Sequence, residues 1–316
     1  LWSDIDADSL VTFFGASLTS ADADDKKAEA TALALKWMRG FDIFDEDADG
    51  DTDDVRRWIM GDVLHSRPLT INYGETVSNC GPPDPNDPSP PDVGYDPDTR
   101  TCNPDIRVVF GTNDGLLHMV ESTEEGANGA ESGVETWAYM PRVLLDNVQS
   151  WMTSEDFSIN RPYGVDGAVT SLTIDNNDNG IIETSRNNAT GGCTNGDPDC
   201  DKVYIYHGLR RGGKNMYALD ISNKDDNPGM LWRIEKGDAG FEDLGLTFSD
   251  PRVGFFRFED VSGLNVFTDD SLTFNVPVGT VVFGGGYWGG PEGGEASPGT
   301  AAFDYSSYVG KDNLTT

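Results

Sequence analysis

The stretch VYIYHGLRRGGKNMYALDI, residues 203–221, places two short runs of β-branched and aromatic residues on either side of a glycine-rich turn. Such a pattern folds as an antiparallel hairpin. VVFGTNDGLLHMV at 108–120 repeats it, and VVFGGGYWGG at 281–290 repeats its first half. After the first two, a tryptophan enters a further strand, Trp232 after 203–221 and Trp137 after 108–120. Runs at 136–140, 168–174, 252–256 and 278–283 are also β-branched or aromatic and bounded by Gly, Asn, Asp or Pro. Strand, tight turn, strand and an anchoring aromatic make the unit of a propeller blade. The expected fold is all-β, a β-propeller that is partial or a fragment, with blades carrying long loop insertions.

Ahead of these strands, residues 1–60 read as a helical lead-in. Asp24-Asp-Lys-Lys27 opens a run whose Leu33, Trp37 and Met38 fall near one face before Gly40 ends it. Two regions follow: the lead-in, 1–60, closing in an acidic loop, and the β-propeller domain, 61–316. The chain starts at Leu1 with no charged-then-apolar leader, which suggests a mature or truncated piece of something longer.

The 316 residues hold 22 Lys+Arg against 55 Asp+Glu, a net charge of −33. Nucleic-acid binding is excluded as a function class, because neutralising phosphates needs a basic stripe, and docking on anionic lipid is disfavoured. No apolar run is long enough to span a membrane. Four cysteines, Cys80, Cys102, Cys193 and Cys200, lack zinc spacing. Pairing Cys80–Cys102 and Cys193–Cys200 is the simplest of three connectivities, since each pair brackets one loop. An oxidising, extracellular or cell-surface location follows from such pairing.

Two acidic loops carry the chemistry. Asp45-Glu-Asp47-Ala-Asp49-Gly-Asp51-Thr-Asp53 and Asp175-Asn-Asn177-Asp-Asn179-Gly-Ile181-Ile-Glu183 both place oxygen side chains at positions 1, 3, 5 and 9, with Gly at 6. A hard cation such as Ca²⁺ takes about six to eight oxygens, and alternate residues of a tight turn direct theirs inward. Position 7, Asp51 or Ile181, adds a backbone carbonyl. Neither loop is an EF-hand, because position 12 is Arg56 or Arg186 where a bidentate Glu belongs. The bland alternative is an acidic turn between elements. Eight acids within residues 42–54 would repel one another without a cation, which favours calcium in the first loop.

Other motifs are weaker. Gly208–Lys214 fits GxxxxGK, but Asn215 stands where Mg²⁺ needs a hydroxyl and a strand follows instead of a helix, so a hairpin is expected. His65, His118 and His207 stand alone, without hydrolase or metalloprotease spacing, and read as structural. Tyr287 and Trp288 are candidates for partner contact, with blade packing the favoured role.

GDVLHSRP (61–68), GTNDGLLHMV (111–120), AYMPRVLLDNV (138–148), RPYGVDGAV (161–169), GLRRGGKNMYALDIS (208–222), LGLTFSDPRV (244–253) and VVFGGGY (281–287) resemble, in order, the signatures of the PilY family of type IV pilus tip proteins. The resemblance implies a β-propeller at the bacterial surface, a role in pilus biogenesis, extension and retraction, and adhesion to host or abiotic surfaces. Minor pilins and the pilus tip complex are the implied partners. It also implies calcium in a loop of the form DxNxDxxxD, matched by Asp175, Asn177, Asn179, the Ile181 carbonyl and Glu183. Asn179 and Glu183 depart from that form, one lowering ligand charge and the other lengthening a ligand. Asp45, Asp47, Asp49, Asp51 and Asp53 make the second candidate. No enzyme activity is expected. The alternatives are a quinoprotein-dehydrogenase-like propeller, which needs about eight regular repeats around its cofactor, and a generic extracellular scaffold for divalent cations.

Overall fold

The computed structural model describes residues 6–57, 59–75, 104–122, 124–125, 130–131, 133–153, 161–175, 182, 200–256 and 278–286. Helix α1, Ala7–Phe14, begins at Asp6, whose carboxylate accepts the Ser9 amide at 3.1 Å. Helix α2, Ala23–Met38, begins at Asp22, which accepts the Asp24 amide at 2.9 Å. Both are side-chain N-caps, and Asp24 and Asp25 add negative charge where the helix dipole is positive. The lead-in is therefore helical, as the sequence implies. Its buried stripe differs in detail: Ala30, Ala34 and Trp37 are buried, while Leu33 and Met38 flank them half-buried. Small residues in the stripe let α1 pack close through Leu10 and Phe14. Glu29 ties the connection, accepting the Thr19 and Ser20 amides at 2.9 Å each, and these bonds pull its carboxyl down to about 2.

The strands fall into two four-stranded antiparallel sheets. The first has the order β1 (Leu69–Glu75), β2 (Pro104–Gly111), β3 (Leu117–Glu121), β6 (Glu135–Tyr139), with a two-residue ladder, β4 (Glu124–Glu125) and β5 (Ala130–Glu131), between β3 and β6 in the chain. The second runs β10 (Gly229–Glu235), β9 (Asn215–Asp220), β8 (Lys202–Gly208), β7 (Val169–Ile174). A further pair joins β11 (Arg252–Phe256) to β12 (Val278–Val282). The architecture is mostly β, in small antiparallel sheets behind a short helical lead-in. Among the described residues these sheets do not close into a ring or barrel.

The two hairpins singled out in the sequence are the centres of the two sheets. Tyr206 pairs with Ala218 and Ile205 with Leu219 across β8 and β9; Val109 pairs with Met119 across β2 and β3. Val203, Ile205, Tyr206, His207 and Met216 through Leu219 are all buried, so β8 and β9 are covered on both faces. Gly208–Asn215 runs through a short 3₁₀ turn, Arg210–Gly212, directly into β9, as a hairpin and not as a nucleotide loop. After β6 a 3₁₀ segment, Arg142–Asn147, leads into helix α3, Val148–Thr153, whose Val148 and Trp151 are buried against the lead-in and core.

The sheets are joined by polar contacts between glycine-rich loops. Val165 donates its amide to the Thr112 carbonyl at 3.0 Å, and Ser66 Oγ accepts the Gly111 amide at 2.8 Å. A Cβ at Gly212 would collide with the Gly164 carbonyl, so two loops stack backbone on backbone there. Asp166, 2 % exposed, pairs with His65 Nδ1 at 2.7 Å and Arg210 at 3.3 Å. Residues of GDVLHSRP, GTNDGLLHMV, RPYGVDGAV and GLRRGGKNMYALDIS thus meet at one joint. Elsewhere, the Tyr73 hydroxyl donates to the Ile221 carbonyl at 2.6 Å, and Asp105 pairs with Arg107 at 2.8 Å and Lys224 at 2.9 Å.

Candidate metal centre

The chain leaves α2 through Gly40, whose φ of +91° suits glycine. A stem then forms: Phe41 bridges Val55, the Asp42 amide donates to the Asp54 carbonyl at 3.0 Å, and the Arg56 amide to the Gly40 carbonyl at 2.9 Å. The acidic loop closes above it. Asp45 takes a φ of +52°, and its Oδ1 reaches across the turn to accept the Gly50 amide at 3.0 Å. Asp47 accepts from Asp49, Asp49 from Asp51, and Asp51 from Asp53, each carboxylate curling over the amide two residues on at 3.2, 2.7 and 2.8 Å.

That chain of short turns brings three side chains together. Carboxylate oxygens of Asp45, Asp47 and Asp49 lie within 4.8 Å of one another. None of the three makes an ion pair with a described residue; their partners are backbone amides. Like charges at such spacing repel, and a cation at their centre removes the repulsion. Among the remaining candidates, the Asp51 carboxylate is taken up by the Asp53 amide, while the Asp53 carboxylate pairs with Lys36 Nζ on α2, which also donates to the Thr52 carbonyl at 3.1 Å.

Arg56, at the position where an EF-hand has its closing Glu, turns away. Its guanidinium lies 3.9 Å above the Trp37 ring, 7 % exposed, and burial lowers its pKa despite the charges of Asp114, Glu46 and Asp42. Two acids that the position-by-position reading leaves out stand at the stem instead. Asp42 is 3 % exposed; its Oδ2 accepts the Glu46 amide at 2.8 Å and its Oδ1 has no partner. The Oδ1 of Asp54 is likewise buried without a partner, and its carboxyl is pushed up by burial first and then by Asp49, Asp47, Asp42 and Asp51.

Of the second loop, the described residues include Asp175, half-buried, and Ile182, whose amide donates to the Tyr73 carbonyl at 2.9 Å. Asn177, Asn179, Ile181 and Glu183 lie outside the described residues, as do Tyr287, Trp288, Cys80, Cys102 and Cys193. Cys200 is buried beside β8. The histidines divide. His65 and His118 are held by carboxylates, His118 Nδ1 lying 2.6 Å from Glu135. His207 is fully buried and stacked on Tyr217 with ring centroids 5.2 Å apart; neither ring nitrogen makes a well-formed hydrogen bond, and the Gly208 backbone nearby only partly opposes the effect of burial. Burial pulls it down to about 4.

No described helix is long and apolar enough to cross a membrane. The chain matches no protein-family model and no curated protein. Among solved structures it is similar to the C-terminal domain of PilY1 from Pseudomonas aeruginosa, at 21 % identity and a TM-score of 0.32. That likeness covers 60 % of this chain and 26 % of that one, so the chain spans about a quarter of the structure it matches.

Proposed function

We propose that this chain is a calcium-binding, non-enzymatic module of a type IV pilus tip protein, working at the cell surface in pilus biogenesis and adhesion. The convergence of Asp45, Asp47 and Asp49 without a protein cation is the observation that carries the calcium half of this reading. The pilus half rests on the ordered PilY-like signatures between residues 61 and 287. Four-stranded antiparallel meanders such as β1-β2-β3-β6 and β7-β8-β9-β10 have the form of propeller blades, and a propeller completed by further strands is the architecture we favour. Loop 175–183 is a second calcium position in this reading, through Asp175, Asn177, Asn179, the Ile181 carbonyl and Glu183. Minor pilins are the proposed partners.

The calcium half is tested by calorimetric titration of the chelator-treated protein. Binding in the range of about 10⁻⁵–10⁻³ M, the weak extracellular end for such loops, is expected. Absence of any heat of binding up to 10 mM, about tenfold above that range, would rule it out. The pilus half is tested by co-purification with minor pilins, and failure to retain any of them in calcium would count against it.

A further inference from the structure

At the joint between the two sheets, arginines from two segments come together. The β8–β9 turn that carries two of them is clamped from below: Gly212 packs on the Gly164 carbonyl, and Thr247 Oγ1 accepts the amides of Leu209 at 2.9 Å and Arg210 at 3.2 Å. Arg210 has a φ of +54°, a left-handed backbone that an arginine adopts only where its surroundings hold it. Its guanidinium lies 3.3 Å from Asp166 and 5.0 Å from the centre of the Phe248 ring. Asp166 also fixes His65 at 2.7 Å, so segment 61–68 is tied to the same turn, and Arg67 follows two residues on.

The positive charge on this face is not used up. Arg211 is exposed and donates to the Tyr163 hydroxyl at 2.8 Å, its guanidinium 5.1 Å from the centre of that ring. It pairs with no carboxylate among the described residues. The Arg67 side chain is 80 % exposed, and its Nη1 stands 3.8 Å from Asp250, too far for a hydrogen bond. Three arginines therefore face two aspartates, Asp166 and Asp250, a local excess of positive charge on a chain whose net charge is −33. Phe248, 38 % exposed, adds apolar surface beside Arg210. Arginine and aromatic side chains make up the hot spots of protein interfaces, and a rigid support lowers the ordering cost of binding. A guanidinium held by a neutral hydroxyl keeps N–H edges free for a carboxylate.

We propose that Arg67, Arg210, Arg211, Tyr163 and Phe248 form a docking face for an acidic segment of a partner protein. Asp or Glu carboxylates of that segment take the free arginine edges, and an apolar neighbour covers Phe248. Charge complementarity selects this occupant. Nucleic acid needs a longer basic stripe, and an anionic lipid surface would meet the negative field of the whole chain. A short acidic segment meets only the arginines, because charges farther off than about 8 Å are screened at physiological salt. Docking here requires neither a calcium ion nor a pilus.

The test is fluorescence anisotropy of a labelled peptide in which glutamate pairs flank a leucine, titrated with the full chain. The double variant Arg67→Gln/Arg211→Gln is expected to weaken binding about tenfold or more, through loss of two charge-assisted contacts. Lys26→Gln/Lys27→Gln, which removes the same charge from α2, should stay within about threefold of the parent, as a change in net charge alone would. Arg211→Lys, which keeps the charge and loses the planar fork, should fall between them. Arg67 and Arg211 are exposed, and far-UV circular dichroism confirms that each variant is folded. A parent that does not bind the peptide, or equal losses in the two double variants, would overturn the proposal. So would equal binding of a peptide with lysine in place of glutamate, or displacement of the peptide by millimolar inorganic phosphate, which would make the face a simple anion site. Self-association of the parent that Arg67→Gln/Arg211→Gln abolishes would overturn it as well, by assigning the face to a second copy of the chain.

Discussion

Asp105, on β2, and Asp166, in the loop before β7, are 4 % and 2 % exposed, each with a protein cation upon it, whereas Asp45, Asp47 and Asp49 meet at the surface with backbone amides alone. In the first region burial would push the Asp105 carboxyl up, but hydrogen bonds from Arg107 and Lys224 outweigh it and hold the group below its ordinary range. In the second, burial and like charges together push Asp54 up. The two regions have the same functional group and opposite neighbours. Folding has placed cations beside the buried acids, where water cannot screen an ion, and none beside the three loop carboxylates among the described residues. His207 shows a third arrangement: an ionisable group buried with no charged partner is held neutral by burial.

The largest expected effect attacks the paired region. Arg107→Ala removes the partner of Asp105 at 2.8 Å and of Thr136 at 2.9 Å, and so one of the two cations that Asp105 pairs with. A loss of about 3 kcal/mol or more is expected in urea denaturation, with or without calcium. A cost that disappeared in calcium would mean that the two regions are not separately balanced.

His207 gives the next effect, and its sign follows from its neutral burial. Its folded pKa of about 4 lies below the ordinary 6.5, so the unfolded chain takes up the proton first. Stability is therefore fully present above pH 6.5 and falls as pH drops from 6.5 toward 4, by roughly 3 kcal/mol. Urea midpoints between pH 7 and 4.5 should show this slope in the parent. It should be smaller in His207→Phe, which keeps the stacking on Tyr217. Identical slopes would contradict the assignment.

In the proposed reading calcium acts on the unpaired region. At a hundredfold excess over its dissociation constant it should stabilise the fold by about 2.7 kcal/mol, read as a rise in melting temperature over the EGTA-treated protein. Asp45→Asn, which takes a charge from the carboxylate cluster while its amide oxygen can still accept the Gly50 amide, should remove the loop's share of that rise. The smallest effect is that of Lys36→Met. Its pair with Asp53 is largely exposed, so the loss without calcium should be within about 1 kcal/mol. Calcium affinity should rise modestly as one positive charge leaves the neighbourhood, and a fall would mean that Lys36 shapes the loop for its ion.

How much of this was legible in the sequence depends on whether a feature is local. The β8–β9 and β2–β3 hairpins were readable because β-branched runs and glycine turns act over a few residues. The end of α2 at Gly40 was readable for the same reason, whereas its Asp22 cap, two residues ahead of the Asp24-Asp25 pair, was not singled out. Strand β1 was missed although Ile71 and Tyr73 are buried and Thr70 and Asn72 exposed, an alternation of period two hidden between Pro68 and a proline-rich stretch. Helix α1, at eight residues, is too short to show a periodicity. In the loop, Asp45, Asp47 and Asp49 were legible from spacing. The shielded Oδ1 atoms of Asp42 and Asp54 were not, because they come from the pairing of 42 with 54. Nor does any single motif reveal that His65, Asp166 and Arg210 meet, since up to 145 residues separate them along the chain.

The central claim is that the counter-charge missing from the 42–54 loop comes from a bound cation. Anomalous diffraction from crystals grown in saturating calcium tests it most directly. The account predicts a peak among the carboxylates of Asp45, Asp47 and Asp49. Ordered density for the loop with no anomalous peak, or with a lysine or arginine side chain in that position, would contradict it.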